Sequence, residues 1–184
     1  MAPILLGHSV GPWNLVVVLA GVSGVDVDGL AAFYAASCAR IVAVVTLVGG
    51  DRAEAQDVVQ EAFVRLIPRW TLIATYDDPE AWVRRVAFRL LSNRFRQRRR
   101  LVPLSAAVDR EMPPVGDPGV DLVRALARLP LPQRQVVVLH YLYDLRIETV
   151  ANELGVPVGT VKSRLSRSRA VLAPLLREDV PDHA

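Results

Sequence analysis

At 184 residues the chain has room for one ordinary domain or two small ones, and 52% hydrophobic with 22% charged residues excludes a disordered or fibrous protein. The net charge of +3 hides a segregation: residues 79–100 carry eight arginines against one glutamate, residues 122–176 carry eight basic against three acidic side chains, and residues 101–121 carry one arginine against four acids. Two basic modules around an acidic connector point to two contacts with a polyanion, and the single cysteine, Cys38, excludes an internal disulfide or a cysteine-based zinc site.

Residues 1–27 read as a poorly ordered N-terminal extension. The apolar run Leu15 to Ala20 is well short of the about 20 residues that span a bilayer, so no membrane insertion is expected. With no Lys or Arg before Arg40, a secretory signal is also unexpected, and a cytoplasmic location follows. A first helix runs from Leu30 to Val48 on Phe33, Tyr34, Cys38, Ile41, Val42 and Val45, and Gly49, Gly50 and Asp51 stop it. Cys38 falls on the apolar stripe and reads as a small buried side chain. A second helix, about Arg52 to Trp70, buries Ala55, Val58, Val59, Ala62, Phe63 and Leu66. Its other side carries Glu54, Asp57 and Glu61, with Glu61 and Arg65 as an i, i+4 pair. That acidic side is either a solvated face or a docking surface for a basic protein.

Pro68 to Asp78 reads as a loop, with Asp78 capping a helix whose first residue is Pro79. This helix, about Pro79 to Arg100, buries Trp82, Val83, Val86, Ala87, Leu90 and Leu91 and lines its other side with Arg85, Arg89, Ser92, Arg96 and Arg99, interleaved with Phe88 and Phe95. Arginine rows with aromatic neighbours suit single-stranded or distorted DNA. A solvated helix end favoured by the dipole is the rival explanation for Arg94 to Arg100.

Residues 101–119 are a Pro/Gly-rich acidic linker that could reach about 70 Å when extended. A C-terminal module, residues 120–176, follows. Leu122, Ala125, Leu126 and Leu129 begin it, Pro130 and Pro132 punctuate it, and Gln133 to Tyr143 forms a helix in which His140 is structural. Ile147, Val150, Ala151 and Leu154 then form a short apolar stripe, ended by Gly155 in a left-handed turn and by Pro157. In the last helix Val161, Leu165 and Leu172 face inward. Thr160, Ser163, Arg164 and Arg167 share an outward face, flanked by Lys162 and Arg169. Hydroxyls and guanidinium groups without carboxylates are the donors that read base edges and hold phosphates in the major groove, so this pair of helices reads as a DNA-binding helix-turn-helix. Residues 177–184 are a tail.

Three stretches carry a wider likeness: DRAEAQDVVQEAFVRL (Asp51 to Leu66), PEAWVRRVAFRLLSNRFRQRRR (Pro79 to Arg100), and LARLPLPQRQVVVLHYLYDLRIETVANELGVPVGTVKSRLSRSRAVL (Leu126 to Leu172). In this order the chain resembles a bacterial RNA polymerase sigma factor of the sigma-70 family, in the extracytoplasmic-function (ECF) group, over roughly residues 30–176. The resemblance implies an all-α fold: a region 2-like domain over residues 28–100 and a region 4-like helix-turn-helix domain, joined by a flexible linker.

It also implies functional surfaces. Asp57, Gln60 and Glu61 would dock on the β′ clamp helices of core RNA polymerase, and the C-terminal module would meet the β flap. Arg85, Phe88, Arg89, Ser92 and Arg96, with the loop before them, would recognise and help open the minus 10 element. Thr160, Lys162, Ser163, Arg164, Arg167 and Arg169 would read the minus 35 element, and an anti-sigma factor is a further partner the family allows. Two places depart from the family pattern: Val48-Gly49-Gly50-Asp51 stands for a Leu-Thr-Gly-Asp type of turn, and Leu145-Arg146-Ile147 for a Leu-Ser-Tyr type of entry to the helix-turn-helix. With no Ser/His/Asp set, metal-ligand spacing or phosphate-cradling loop, no enzyme activity, metal or cofactor is expected. The alternative is a polymerase-independent helix-turn-helix regulator that binds duplex operators as a dimer.

Overall fold

The computed structural model describes residues 26–101 and 118–178. The expected N-terminal extension and most of the linker lie outside these residues. Among the described residues every regular element is helical: α1 (Val27–Gly49), α2 (Arg52–Leu66), a 3-10 turn (Ile67–Arg69), α3 (Trp70–Ile73), α4 (Pro79–Leu101), α5 (Pro118–Ala127), α6 (Leu131–Val137), a π turn (Val138–Leu142), α7 (Ile147–Leu154) and α8 (Val158–Glu178).

Local chemistry sets the ends. The Asp26 side chain accepts from Gly29 N–H to start α1, Asp51 does the same from Glu54 N–H for α2, and Asp78 from Ala81 N–H for α4. Gly50 (φ 81°) closes α1 in the left-handed conformation that a side chain would penalise. The expected loop from Pro68 to Asp78 is mostly helical instead. Pro68 ends α2 because it lacks the N–H for another turn, yet its ring fits the first turn of the next, so the chain continues as the 3-10 turn and α3. Only residues 74–78 remain as loop.

Helices α1, α2 and α4 form the first module. By length and composition α1 could cross a membrane, but here Ile41, Val45 and Val48 are fully buried where it packs on α2 and α4. Phe63 anchors the core: its ring lies 4.8 Å from Tyr34, edge-on, and 6.0 Å from Phe33, which stacks on Trp70 at 5.2 Å. Helices α5 to α8 form the second module around Leu126, Leu129, Val136, Leu139, Val150, Val161 and Leu165. The expected continuous helix from Gln133 to Tyr143 starts at Leu131 and widens after Val137 into the π turn, where Tyr143 N–H reaches back to the Val138 carbonyl at 3.1 Å.

The two modules touch. Helix α1 packs on α5, α6 and the π turn, and α4 packs on α7. Arg134 ties the ends of three segments, donating to the carbonyls of Val48 (3.2 Å), Ala127 (3.0 Å) and Leu129 (2.7 Å), where the C-terminal ends of α1 and α5 carry partial negative charge. Truncating Phe63 to Ala is expected to cost about 3–5 kcal/mol, read as a lower denaturant midpoint. A loss below about 1 kcal/mol would show that this ring cluster is not the anchor.

Candidate nucleic-acid interface

Helix α8 presents the first candidate surface. Gly155 (φ 65°) ends α7 in the expected left-handed turn, with its N–H and that of Val156 both directed at the Ala151 carbonyl. Pro157 supplies the carbonyl that opens α8, accepting from Thr160 and Val161. Val161 and Leu165 then point into the core, which turns Thr160, Ser163, Arg164 and Arg167 outward at helical spacing. Lys162, Arg167 and Arg169 are exposed and Thr160, Ser163 and Arg164 half-buried. Among the described residues none of these four cations has a carboxylate partner. Ser168, which the pattern did not single out, is fully buried and donates to the Arg164 carbonyl at 2.8 Å.

The second surface is α4. Arg85, Arg89 and Arg96 are exposed along one side, with Ser92 half-buried between them. Phe88 is placed differently from the expectation. At 2% exposure it belongs to the core, because it lies four residues after Arg84 and three before Leu91 on the inward side; in this conformation its ring is not open to a base. On α2 the acidic side is partly engaged within the fold. Glu54 is paired with Arg98, and Glu61 accepts from Arg65 at 2.6 Å and from Arg94 at 3.2 Å. Asp57 and Gln60 are exposed and line a groove with Tyr34, Cys38 and Arg52. Cys38 is half-buried there, and burial pushes its thiol up.

Between the modules lies a cluster that the periodicity did not reveal. The Arg84 guanidinium, 3% exposed, forms a two-pronged pair with Glu153, 2% exposed, at 2.9 Å through Nε and 3.1 Å through Nη2. Nη1 reaches Glu80 and Nη2 also reaches Asp78, each at 3.1 Å, and the Arg84 guanidinium carbon sits 4.8 Å from the centre of the Tyr143 ring. Tyr143 donates its hydroxyl to Glu80 at 2.8 Å, and Glu80 also takes Arg40. Burial raises the Glu80 carboxyl, but Arg40, Tyr143 and Arg84 together outweigh it and hold the group below the usual range. Burial pushes Glu153 up more strongly than Arg84 draws it down. The sequence did carry a sign of this pair: Arg84 lies three residues before Ala87 and seven before Leu91, and Glu153 three after Val150, so both charges fall on apolar stripes.

Comparison with known proteins finds a family match for each module. The sigma-70 region 2 model matches residues 33–101 and the sigma-70 region 4 model residues 120–172. The RNA polymerase sigma-E factor of Streptomyces avermitilis is 35% identical over 126 residues, 66% of this chain and 70% of its own length. The chain belongs to the sigma-70 family, in its ECF group. This sigma factor is also 29% identical to SigW of Bacillus subtilis, over 70% of this chain and 79% of that one. Against SigE of Mycolicibacterium smegmatis it is 31% identical and spans only 53% of the relative's length. Its fold is shared by the solved sigma factor RpoE from Bartonella quintana, crystallised with the anti-sigma factor NepR (TM-score 0.62, 24% identity, 77% of this chain, 92% of that one). It is shared as well by CnrH, solved with the cytosolic domain of CnrY (TM-score 0.59, 24% identity, 90% and 97%).

The Tyr143 hydroxyl, half-buried and donating to a carboxylate, is held up to about 12 from its ordinary 10.0. Because the raised value belongs to the neutral form, its contribution is complete below pH 10.0 and is lost as pH rises through about 12. A phenolate absorbance titration should show one tyrosine ionising later than the others and becoming ordinary in Glu80→Gln; four tyrosines titrating together would contradict the bond.

Proposed function

We propose that this sigma factor binds core RNA polymerase and directs transcription initiation by reading two promoter elements, one with each module. The carrying observation is that a single chain exposes two cationic rows on two separate helices. On α4 Arg85, Arg89 and Arg96 face outward, and on α8 Lys162, Arg164, Arg167 and Arg169 do so beside the hydroxyls of Thr160 and Ser163. Helix α8 enters the major groove at the minus 35 element, where guanidinium groups pair with guanine edges and phosphates. The α4 row holds the minus 10 strand by its phosphates, Ser92 adds a donor between the arginines, and the exposed Leu72 on α3 and Tyr76 in the loop before α4 offer apolar surface to unstacked bases. Asp57 and Gln60 carry the contact with the β′ clamp helices, Glu61 contributes from its place between Arg65 and Arg94, and the second module meets the β flap. The partners are core polymerase, promoter DNA and an anti-sigma factor; the location is cytoplasmic and the role non-catalytic.

Run-off transcription with purified core enzyme tests this directly. The expected result is a transcript that starts at one position and requires the chain. Retention on core no better than that of an unrelated basic protein would overturn the reading, and tight binding to a two-fold operator without polymerase would favour a conventional regulator.

Two substitutions locate the surfaces. Arg164→Ala should lose about 1–3 kcal/mol of discrimination at one or two upstream base pairs, measured by competition between promoter variants; unchanged upstream preference would remove Arg164 from the reading face. Asp57→Arg should weaken core retention in a pull-down without changing thermal stability, since Asp57 is exposed and forms no ion pair among the described residues. Changing Glu61 as well would confound the assay by setting a third cation against Arg65 and Arg94.

A further inference from the structure

The groove between α1 and α2 has a volume of about 530 Å³, with Tyr34, Ala35, Cys38 and Ala39 of α1 on one side and Asp57 and Gln60 of α2 on the other. Ala35 and Ala39 are exposed. The same stripes continue past the groove at four-residue spacing, through Ala31 and Val27 on α1 and Val64 on α2, and both valines are 42% exposed. The contact of Tyr34 with Phe63 puts the start of α1 beside the end of α2, so uncovered apolar positions lead from the groove to the point where the chain enters α1. What precedes that point is uncharged. Residues 1–25 hold no Asp, Glu, Lys or Arg, and Leu15 to Ala20 reads LVVVLA. The region 2 match begins at residue 33, so this run lies outside the part shared with the family.

We propose that the α1–α2 groove is the seat of the chain's own N-terminal segment, with Leu15 to Ala20 laid along Ala35, Cys38 and Ala39 and covering the Asp57 side of α2. Length permits it. The six residues 21–26 reach about 20 Å when extended, whereas Tyr34 lies only about 10 Å beyond Val27 along the helix. Gly21, Ser23 and Gly24 are residue types suited to the reversal. The alanine side chains let a second segment approach the α1 backbone closely, and branched side chains laid against them leave water together with the groove floor. Attachment to the same chain presents the run at an effective concentration on the order of mM. A second copy, arriving from solution, competes at a disadvantage. While the segment is seated, Asp57 and Gln60 are withheld from other proteins; that consequence rests on the docking role proposed above, and the seat itself does not.

Cys38, the single cysteine, lines the groove and reports on it. The test uses the full-length chain without polymerase and follows the rate at which Ellman's reagent modifies this thiol. Val16→Asp combined with Val18→Asp should raise the rate about tenfold, as expected when a groove filled in about nine molecules of ten becomes free. Val16→Ile combined with Val18→Ile should keep the wild-type rate. Cross-linking supplies a second measurement that adds no charge and so stands even if the aspartates disturb the fold. Under mild oxidation Val16→Cys or Val17→Cys should form an internal disulfide with Cys38 faster than Ser9→Cys does, at a rate independent of protein concentration. An unchanged Cys38 rate in the aspartate variant overturns the proposal, as does equal cross-linking from positions 9, 16 and 17. Protection that grows with protein concentration, or a disulfide between chains, gives the groove to a second copy and overturns it too. With polymerase absent from every arm, these failures leave the sigma-factor reading standing, and failed run-off transcription would leave the seat standing.

Discussion

A guanidinium group with 3% of its surface exposed must find acceptors for its donors inside the protein, because water cannot supply them. Arg84 finds three carboxylates: Asp78 at the mouth of its own helix, Glu80 one turn before it, and Glu153 on the other module. Burying a pair of opposite charges returns little net stability, but removing one partner of a buried pair costs about 3–5 kcal/mol. The cluster therefore acts chiefly on arrangement. It allows few relative positions of α4 and α7, and because side chains on a helix turn about 100° per residue, fixing Arg84 inward sends Arg85 and Arg89 outward. The outward arginine row and the buried ion pair are two sides of one constraint.

The charge segregation visible in composition is resolved in space by pairing. The C-terminal half of α4 lends Arg94 and Arg98 to Glu61 and Glu54 of α2, which fastens two core helices along their exposed edges. Arg134 is used on helix ends, Arg84 between the modules and Arg40 on Glu80. Among the described cations left without a carboxylate, two groups each line one helix, and these are the ones the proposed reading assigns to nucleic acid: Arg85, Arg89 and Arg96 on α4, and Lys162, Arg164, Arg167 and Arg169 on α8. The acidic side of α2 is divided in the same way. Two of its carboxylates are tied into the fold and Asp57 stays exposed.

Much of this could be read from residue spacing. Asp78 marked the start of α4, and Gly50 and Gly155 the ends of α1 and α7, since each does a local job that the sequence states outright; the expected end of α2 at Trp70 falls back to Leu66. The outward face of α8 was legible for the same reason, as apolar side chains at Val161 and Leu165 leave one side to water. Four features were not. The helical path through Pro68 depends on a proline being favourable at a first turn, which competes with its role as a stop. The π turn before Tyr143 has no local signature. The burial of Phe88 is hidden when the Arg row is taken as one broad face, because residues 84, 88 and 91 share an inward side. The Arg84–Glu153 pair links positions 69 residues apart, and no local pattern couples two such sites; only a charge on each apolar stripe pointed to it.

The most direct measurement is of Arg84 itself. Side-chain nuclear magnetic resonance of the free chain should show its Nε–H as a slowly exchanging signal, coupled through a hydrogen bond to a carboxylate and close in space to the Tyr143 ring. An Arg84 signal that exchanges as fast as those of Arg85 and Arg89, with no proximity to Tyr143, would mean that the modules are not held together by this pair.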